Sequence, residues 1–237
     1  MAVREVCRRL KDRIDFLIVT PRFSRVLPKG EFLTEGKIVR LGFGVFLDKW
    51  LMPFFGIFYF LGSLKEFKNA VIWGMDISQG SLTAAFLKLF FPKTRFVLTL
   101  QYGYGEGRLA KGRLGLIGLA FRFMLSRADY VTAISAHLLD LARAYGYKVE
   151  ASVVPNGVDI PKFQINAKAK NPNTKIIITT SRLVYKNGVD ILIRAAAELK
   201  KSAVSRWQFL VAGSGPEERK LKKLAKDLAK KYKVTAS

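Results

Sequence analysis

Arg182 stands in the stretch TSRLVYKNGVDILIRAAAEL (180–199), where a β-branched run gives way to a helical pattern. An arginine at such a junction can share an anionic group with the helix N-terminus. The guanidinium supplies parallel donors and the helix supplies its free N–H groups. The chemistry this suits is the holding of a phosphate. Earlier, LTLQYGYGEGR (98–108) follows a strand-like run and carries Gly103, Gly105 and Gly107. These glycines either let backbone approach a ligand or form an ordinary loop. Gln101, at the head of that loop, can donate and accept hydrogen bonds but cannot act as a base or carry charge. Other chemistries are poorly supplied. His137 is the sole histidine and reads as a surface residue in the first turn of a helix. No Gly-x-Ser-x-Gly elbow occurs, so Ser-His-Asp hydrolysis has no support. The sequence has no Asp-x-Asp pair and no cluster at metal-ligand spacing, so no metal is expected.

Those residues need elements to place them. IDFLIVT (14–20), AVIWGM (70–75), RFVLTL (95–100), YVTAI (130–134) and ASVVP (151–155) read as short, mostly buried strands. Helical patterns fill 4–13, 44–66, 80–91, 110–126 and 135–146, with Ser135 placed to cap the last and Gly146 to stop it. The alternation predicts a parallel sheet with helices on both faces. VVPNGVDIPKF (153–163) then interrupts it. Pro155 cannot donate to a ladder and Asn156-Gly157 tolerates positive φ, so a turn is expected there. The polar stretch QINAKAKNPNT (164–174) reads as a linker. Alternation resumes with strands at 175–181 and 207–213 and helices at 188–200 and 216–232. GSGP (213–216) is expected to be a structural tight turn, with Pro216 at the first helical position. The predicted organisation is α/β: a Rossmann-like domain over 1–163, a linker, and a partial second Rossmann-like domain over 175–237. Such doubly wound units bind ligands at the carboxyl ends of their strands.

Half of the 237 residues are hydrophobic, so a real core can form and global disorder is excluded. Lys plus Arg total 41 against 18 acids, a net charge of +23 that suits phosphorylated small molecules, an anionic membrane face or nucleic acid. The basic residues are dispersed, with no helix-turn-helix, RNA-recognition or zinc signature, so nucleic acid is not the expected partner. A single cysteine, Cys7, rules out an internal disulfide and fits a reducing cytosol. The N-terminal MAVREVCRRLKDR lacks the apolar core of a signal peptide, so a cytoplasmic location is expected. The most apolar run, LMPFFGIFYFLGSL (51–64), is too short to span a bilayer. It is either a buried helix or an interfacial one beside Lys49, Lys65 and Lys68, which would attach the protein peripherally at the inner face of a membrane.

Three segments stand in order: ADYVTAIS…YG…VVPNGVDIPKF (128–163), TSRLVYKNGVDILIRAAAEL (180–199) and FLVAGSGPEERKL (209–221). Together they resemble the retaining, two-domain GT-B glycosyltransferases of the family-four (group 1) type, over roughly residues 95–221. The resemblance implies hexosyltransferase-type transfer from a nucleotide diphosphate sugar, with retention at the anomeric carbon, to a glycan or lipid-linked acceptor. It implies that the second domain holds the donor and the first the acceptor, with no cofactor and no metal. An anionic membrane surface is the further partner it allows. Arg182 then matches the arginine that clamps the diphosphate as charge develops on the leaving group. The family's lysine stands immediately before the glycine. Here that position is Asn187, with Lys186 one residue earlier, so Arg182 and Lys186 are the candidate catalytic cations. Asn187, Gly188 and Gln101 are candidate donor contacts, and Asn187 is alternatively a helix cap. Many relatives carry histidine where Gln101 stands. Gly103, Gly105, Ser135, Asn156 and Gly157 are the candidate acceptor or cleft residues.

The family also has two glutamates eight positions apart that hold the donor's sugar and ribose, and no two glutamates of this chain have that separation. Relatives open with a strand and a glycine-rich loop, whereas this chain opens in the helix that follows. A fragment truncated at both ends is therefore expected. The alternative function is a non-catalytic remnant that binds a partner or an anionic membrane surface.

Overall fold

The βα alternation is realised in a computed structural model of the chain, which describes residues 2–63, 67, 69–101, 109, 114–163, 175–201 and 207–232. The chain divides into two units, Met1–Val158 and Asp159–Ser237. The linker expected at 164–174 lies outside the described residues.

The first unit begins with helix α1 (Ala2–Leu10) and strand β1 (Leu17–Pro21), followed by β2 (Gly30–Leu33) and β3 (Gly36–Leu41). These strands form a three-stranded sheet of order β1-β3-β2. β1 runs parallel to β3, while β2 is antiparallel to it, pairing Leu33 with Gly36. The sequence reading assigned nothing to the β2–β3 hairpin. Its first strand, GEFL, has no β-branched residue and shows no strand bias of its own.

Helix α2 (Asp48–Gly62) lies within the helical stretch expected over 44–66. There follow β4 (Val71–Met75), α3 (Gln79–Phe90), β5 (Arg95–Leu100), α4 (Leu116–Arg127), β6 (Tyr130–Ala133), α5 (Ala136–Ala144) and β7 (Ala151–Val153). The four strands make a parallel sheet of order β4-β5-β6-β7. Its centre is covered on both faces, as parallel sheets require. Phe96, Leu98 and Leu100 of β5 and Val131 and Ala133 of β6 are buried against Ala84, Ala85, Phe121, Met124, Leu138 and Ala142. Burial of a side chain such as Phe96 is worth about 2 to 3 kcal/mol. Two polar ties cross this sheet. Asp129 accepts the Phe96 N–H at 2.7 Å and pairs with Lys88 Nζ at 2.8 Å. Trp73 Nε1 donates to Thr99 Oγ1 at 2.7 Å, and Thr99 shares a 2.6 Å hydrogen bond with Thr132.

In the second unit, β8 (Lys175–Thr180) and β9 (Trp207–Ala212) pair in parallel, with Lys175 opposite Trp207. Helices α6 (Val189–Lys201) and α7 (Glu218–Tyr232) follow the two strands. Leu183, Val189 and Leu221 form its small core with Ile193 packed against them. Helix α7 starts two residues later than predicted. Pro216 lies in the turn ahead of the helix, because the Glu217 N–H is directed to Leu183 O.

Candidate functional site

In the second unit the loops leaving β8 and β9 lie at the carboxyl edge of the sheet and are clasped together. The Ser181 N–H donates to Ala212 O at 3.1 Å, the Leu183 N–H to Ser214 O at 2.9 Å, and the Glu217 N–H to Leu183 O at 3.1 Å. The buried Leu183 side chain anchors the clasp. The two glycines of GSGP are dictated by it. A Cβ on Gly213 would fall on the Ser181 carbonyl oxygen, and one on Gly215 on the Leu183 carbonyl oxygen. GSGP is structural, as expected, through close backbone approach.

Arg182 is exposed on this loop, between two residues whose backbones are fixed. Its own carbonyl accepts the Val184 N–H at 2.9 Å and Asn187 Nδ2 at 2.7 Å. Tyr185–Asn187 form a single 3₁₀ turn that carries the exposed Lys186. Gly188 closes the loop at φ 62°, a left-handed conformation that only glycine adopts without strain, and α6 begins at the next residue. Asn187 is therefore not a helix cap. Its side chain turns back to the Arg182 carbonyl, because the 3₁₀ turn places it one residue before the chain reverses. Arg182, Lys186 and the start of α6 share one short segment, so two cations stand beside a helix N-terminus.

Two cations missed in the sequence reading stand nearby on α7. Arg219 and Lys222 line an open depression of about 600 Å³ with Gly215, Pro216 and Glu218. Lys222 pairs with Glu218 at 2.8 Å, and that hydrogen bond holds the Glu218 carboxyl below the usual carboxylate range. Their spacing of three on a helix following the Gly-rich turn was the available signal. The Ser181 hydroxyl at the base of the loop is buried without a hydrogen-bond partner.

In the first unit the carboxyl edge of the four-stranded sheet gathers three polar residues. Asp76, just past β4, has φ 56° and donates its N–H to Thr99 O at 2.8 Å. Its Oδ1 accepts the Gln101 N–H at 2.8 Å. Gln101 Nε2 in turn donates to Asn156 Oδ1 at 3.4 Å. Gln101, expected as a donor contact, and Asn156, expected as an acceptor or cleft residue, thus meet across 55 residues of chain. Asp76 was not foreseen, since nothing in MDIS reveals a left-handed aspartate.

The Asn156-Gly157 pair does not turn on positive φ. Neither residue has it, and 154–159 carry no regular structure. The Val154 N–H continues the ladder to Ala133 O at 2.7 Å, and the Asn156 side chain engages Gln101. Nothing lies within 4 Å of a Cβ placed on Gly157, so that glycine is not sterically required. Ser135 caps α5, its hydroxyl accepting the Leu138 N–H at 3.4 Å. Gly103 and Gly105 lie outside the described residues. Among the described residues no three His, Cys, Asp or Glu side chains are grouped to hold a metal ion.

Residues 1–162 match the family model described as Glycosyltransferase Family 4, and residues 162–236 match that described as Glycosyl transferases group 1. The chain is 28% identical over 204 residues to an alpha-monoglucosyldiacylglycerol synthase of Streptococcus pneumoniae, an alignment covering 75% of this chain and 46% of that protein. It is 30% identical over 118 residues to a GDP-mannose-dependent alpha-(1-6)-phosphatidylinositol monomannoside mannosyltransferase of Mycolicibacterium smegmatis, covering 46% of this chain and 31% of that protein. The chain thus spans less than half the length of these curated relatives. A solved structure described as "Trehalose-6-phosphate from E. coli bound with UDP-2-fluoro glucose" superposes with a TM-score of 0.63 at 14% identity, covering 96% of this chain and 66% of that one, a likeness of fold. One family model runs through most of the chain and the other through nearly all of the remainder, so the protein belongs to the family-four, group 1 glycosyltransferases of GT-B fold.

Proposed function

We propose that the chain carries the acceptor side and the diphosphate clamp of a retaining transferase. Its donor is a nucleotide diphosphate sugar and its acceptor a glycan or lipid-linked molecule. The observation that carries this reading is the clasped 181–188 loop, which fixes Arg182 beside Lys186 and the start of α6. The names of the relatives support it: one is GDP-mannose-dependent and acts on a phosphatidylinositol monomannoside, and the other is named for a glucosyl diacylglycerol.

On this reading the bond between the anomeric carbon and the diphosphate oxygen breaks, and its electron pair stays on that oxygen. Arg182, Lys186 and the helix N-terminus stabilise the charge that develops, so no metal ion is needed. The acceptor hydroxyl bonds to the anomeric carbon on the face the diphosphate leaves. Gln101 cannot take the hydroxyl proton, which passes to the departing phosphate oxygen. Gln101, held by Asp76 and Asn156, is a donor or acceptor of sugar hydrogen bonds. The protein acts in the cytoplasm, attached peripherally to the inner face of a membrane. No helix among the described residues is long and apolar enough to cross one.

A second reading is a non-catalytic module that binds a partner or an anionic membrane surface without turnover. Calorimetric titration with UDP and with GDP separates the cases. Binding that Arg182→Ala weakens at least about tenfold supports the clamp, and the absence of binding in a folded sample refutes it. Binding without release of sugar from UDP-glucose or GDP-mannose selects the second reading.

A further inference from the structure

Only Asp76 and Ile77 separate Met75, at the end of β4, from Ser78, which caps α3 by accepting the Ser81 N–H at 3.2 Å. In this tight turn Asp76 is left-handed, at φ 56°. Glycine adopts that conformation without strain. An L side chain does not, although aspartate and asparagine tolerate it better than most. Backbone geometry alone would therefore favour glycine here, and the residue that is present brings a carboxylate to the carboxyl edge of the sheet.

That carboxylate holds Gln101, and it does so from a fixed base. The Asp76 N–H donates to Thr99 O at 2.8 Å, and the Asp76 carbonyl accepts the Ser78 N–H at 2.9 Å. Thr99 is buried and bonded through Oγ1 to Trp73 and Thr132, one on each neighbouring strand. The pairing of β4 with β5 ends at Met75 opposite Thr99, and Asp76 Oδ1 then accepts the Gln101 N–H at 2.8 Å just past that end. Gln101 reaches the other way with its side chain. In the order β4-β5-β6-β7 it extends past β6 to Asn156, which follows β7, with Nε2 donating to Oδ1 at 3.4 Å. Gln101 is thus tied on both sides of its own strand. With Nε2 given to Asn156, Oε1 has no partner among the described residues, so the amide presents a hydrogen-bond acceptor.

We propose that Asp76 is a positioning residue for sugar recognition: its left-handed carboxylate sets Gln101 so that Oε1 accepts the proton of a substrate sugar hydroxyl. The inference deepens the proposed function and rests on it for the identity of the ligand. A group held in place before the ligand arrives loses little freedom on binding it. Asparagine at 76 meets both demands, since it tolerates the same φ and its Oδ1 accepts the same N–H. Glycine meets only the first.

Nuclear magnetic resonance on protein labelled with 15N-glutamine, together with calorimetry, tests the proposal through Asp76→Asn and Asp76→Gly. The glutamines are Gln79, Gln101, Gln164 and Gln208, and Gln101→Ala identifies the Gln101 signals by their loss. In the ligand-free protein Asp76→Gly should speed hydrogen exchange at the Gln101 N–H at least about tenfold, and Asp76→Asn should stay within about twofold of wild type. UDP-glucose or GDP-mannose should shift the Gln101 side-chain amide where UDP or GDP does not. Asp76→Gly should cost about fivefold in affinity for the nucleotide sugar and nothing for the nucleotide, with Asp76→Asn restoring it. Equal exchange in wild type and Asp76→Gly overturns the proposal, as does a loss in Asp76→Asn equal to that in Asp76→Gly. A Gln101 amide that neither nucleotide sugar shifts, in a protein that binds UDP or GDP, overturns it too and leaves the diphosphate clamp standing. Failure of UDP and GDP to bind wild type refutes the clamp instead, and the exchange comparison then decides by itself whether Asp76 sets Gln101.

Discussion

Alanine at Gly215 should open the clasp that holds Arg182. Its Cβ would meet the carbonyl oxygen, carbonyl carbon and nitrogen of Leu183, all backbone atoms that no rotamer change can move aside. The loops after β8 and β9 must separate, and the bonds from the Leu183 N–H to Ser214 O and from the Glu217 N–H to Leu183 O are lost. At about 1 kcal/mol net for each bond, and with Leu183 partly withdrawn from a small core, the second unit loses about 2 to 3 kcal/mol. Urea unfolding followed at Trp207, the one tryptophan of that unit, measures this directly. Gly157→Ala is the matched control. No atom lies within 4 Å of its Cβ and its φ is not positive, so it should be neutral or stabilising by up to about 1 kcal/mol. If Gly215→Ala costs less than about 0.5 kcal/mol, the clasp is not what orders the loop and the reasoning fails. The same variant should also weaken nucleoside diphosphate binding without touching a charged group, because Arg182 depends on that clasp for its place.

Further outcomes follow from individual contacts. Arg182→Ala should weaken nucleoside diphosphate binding roughly tenfold to a hundredfold, and Arg182→Lys should recover only part, since lysine keeps the charge but not the fork of donors; equal binding by all three proteins in calorimetry would remove Arg182 from the clamp. Burial raises the Asp48 carboxyl, but the loop N–H bonds and the Arg22 charge outweigh it and hold it below the ordinary range. Its contribution to stability is therefore present above about pH 4 and lost as pH falls through the depressed value. Chemical denaturation should show the gap between wild type and Asp48→Asn closing on acidification, and a gap constant with pH would contradict this. Asp129→Asn removes the counterion of Lys88, whose side chain is only 14% exposed, and should cost about 1 to 3 kcal/mol by thermal unfolding; an unchanged transition would show the pair to be idle.

Much of the architecture was legible because its elements are locally declared. β5 reads RFVLTL and is a strand over the predicted residues, since β-branched and large apolar side chains satisfy a strand buried on both faces. Ser135 was legible as a cap because an N-cap acts within three residues. The place of Arg182 at a strand-to-helix junction was legible from the local pattern, whereas Lys186 entered only through the family resemblance. The β2–β3 hairpin was not legible, because β3 is held by pairing with β1, which no local window contains, and β2 is held only by β3.

The clearest division falls at the two edges that could hold ligands. Sequence by itself determined the α/β class, the +23 charge, the glycines of GSGP and the cations before α6, all properties of residue type and short-range order. Tertiary structure decided what those residues face. It turned Asn187 from a cap into a brace for Arg182, gave Asp76 its hold on Gln101, and set Asn156 against a side chain 55 residues away. It also left the outer stripe of α2 uncovered. An apolar residue reads the same in sequence whether it is core or surface, and only the packing of neighbouring elements determines which side of a helix meets the protein.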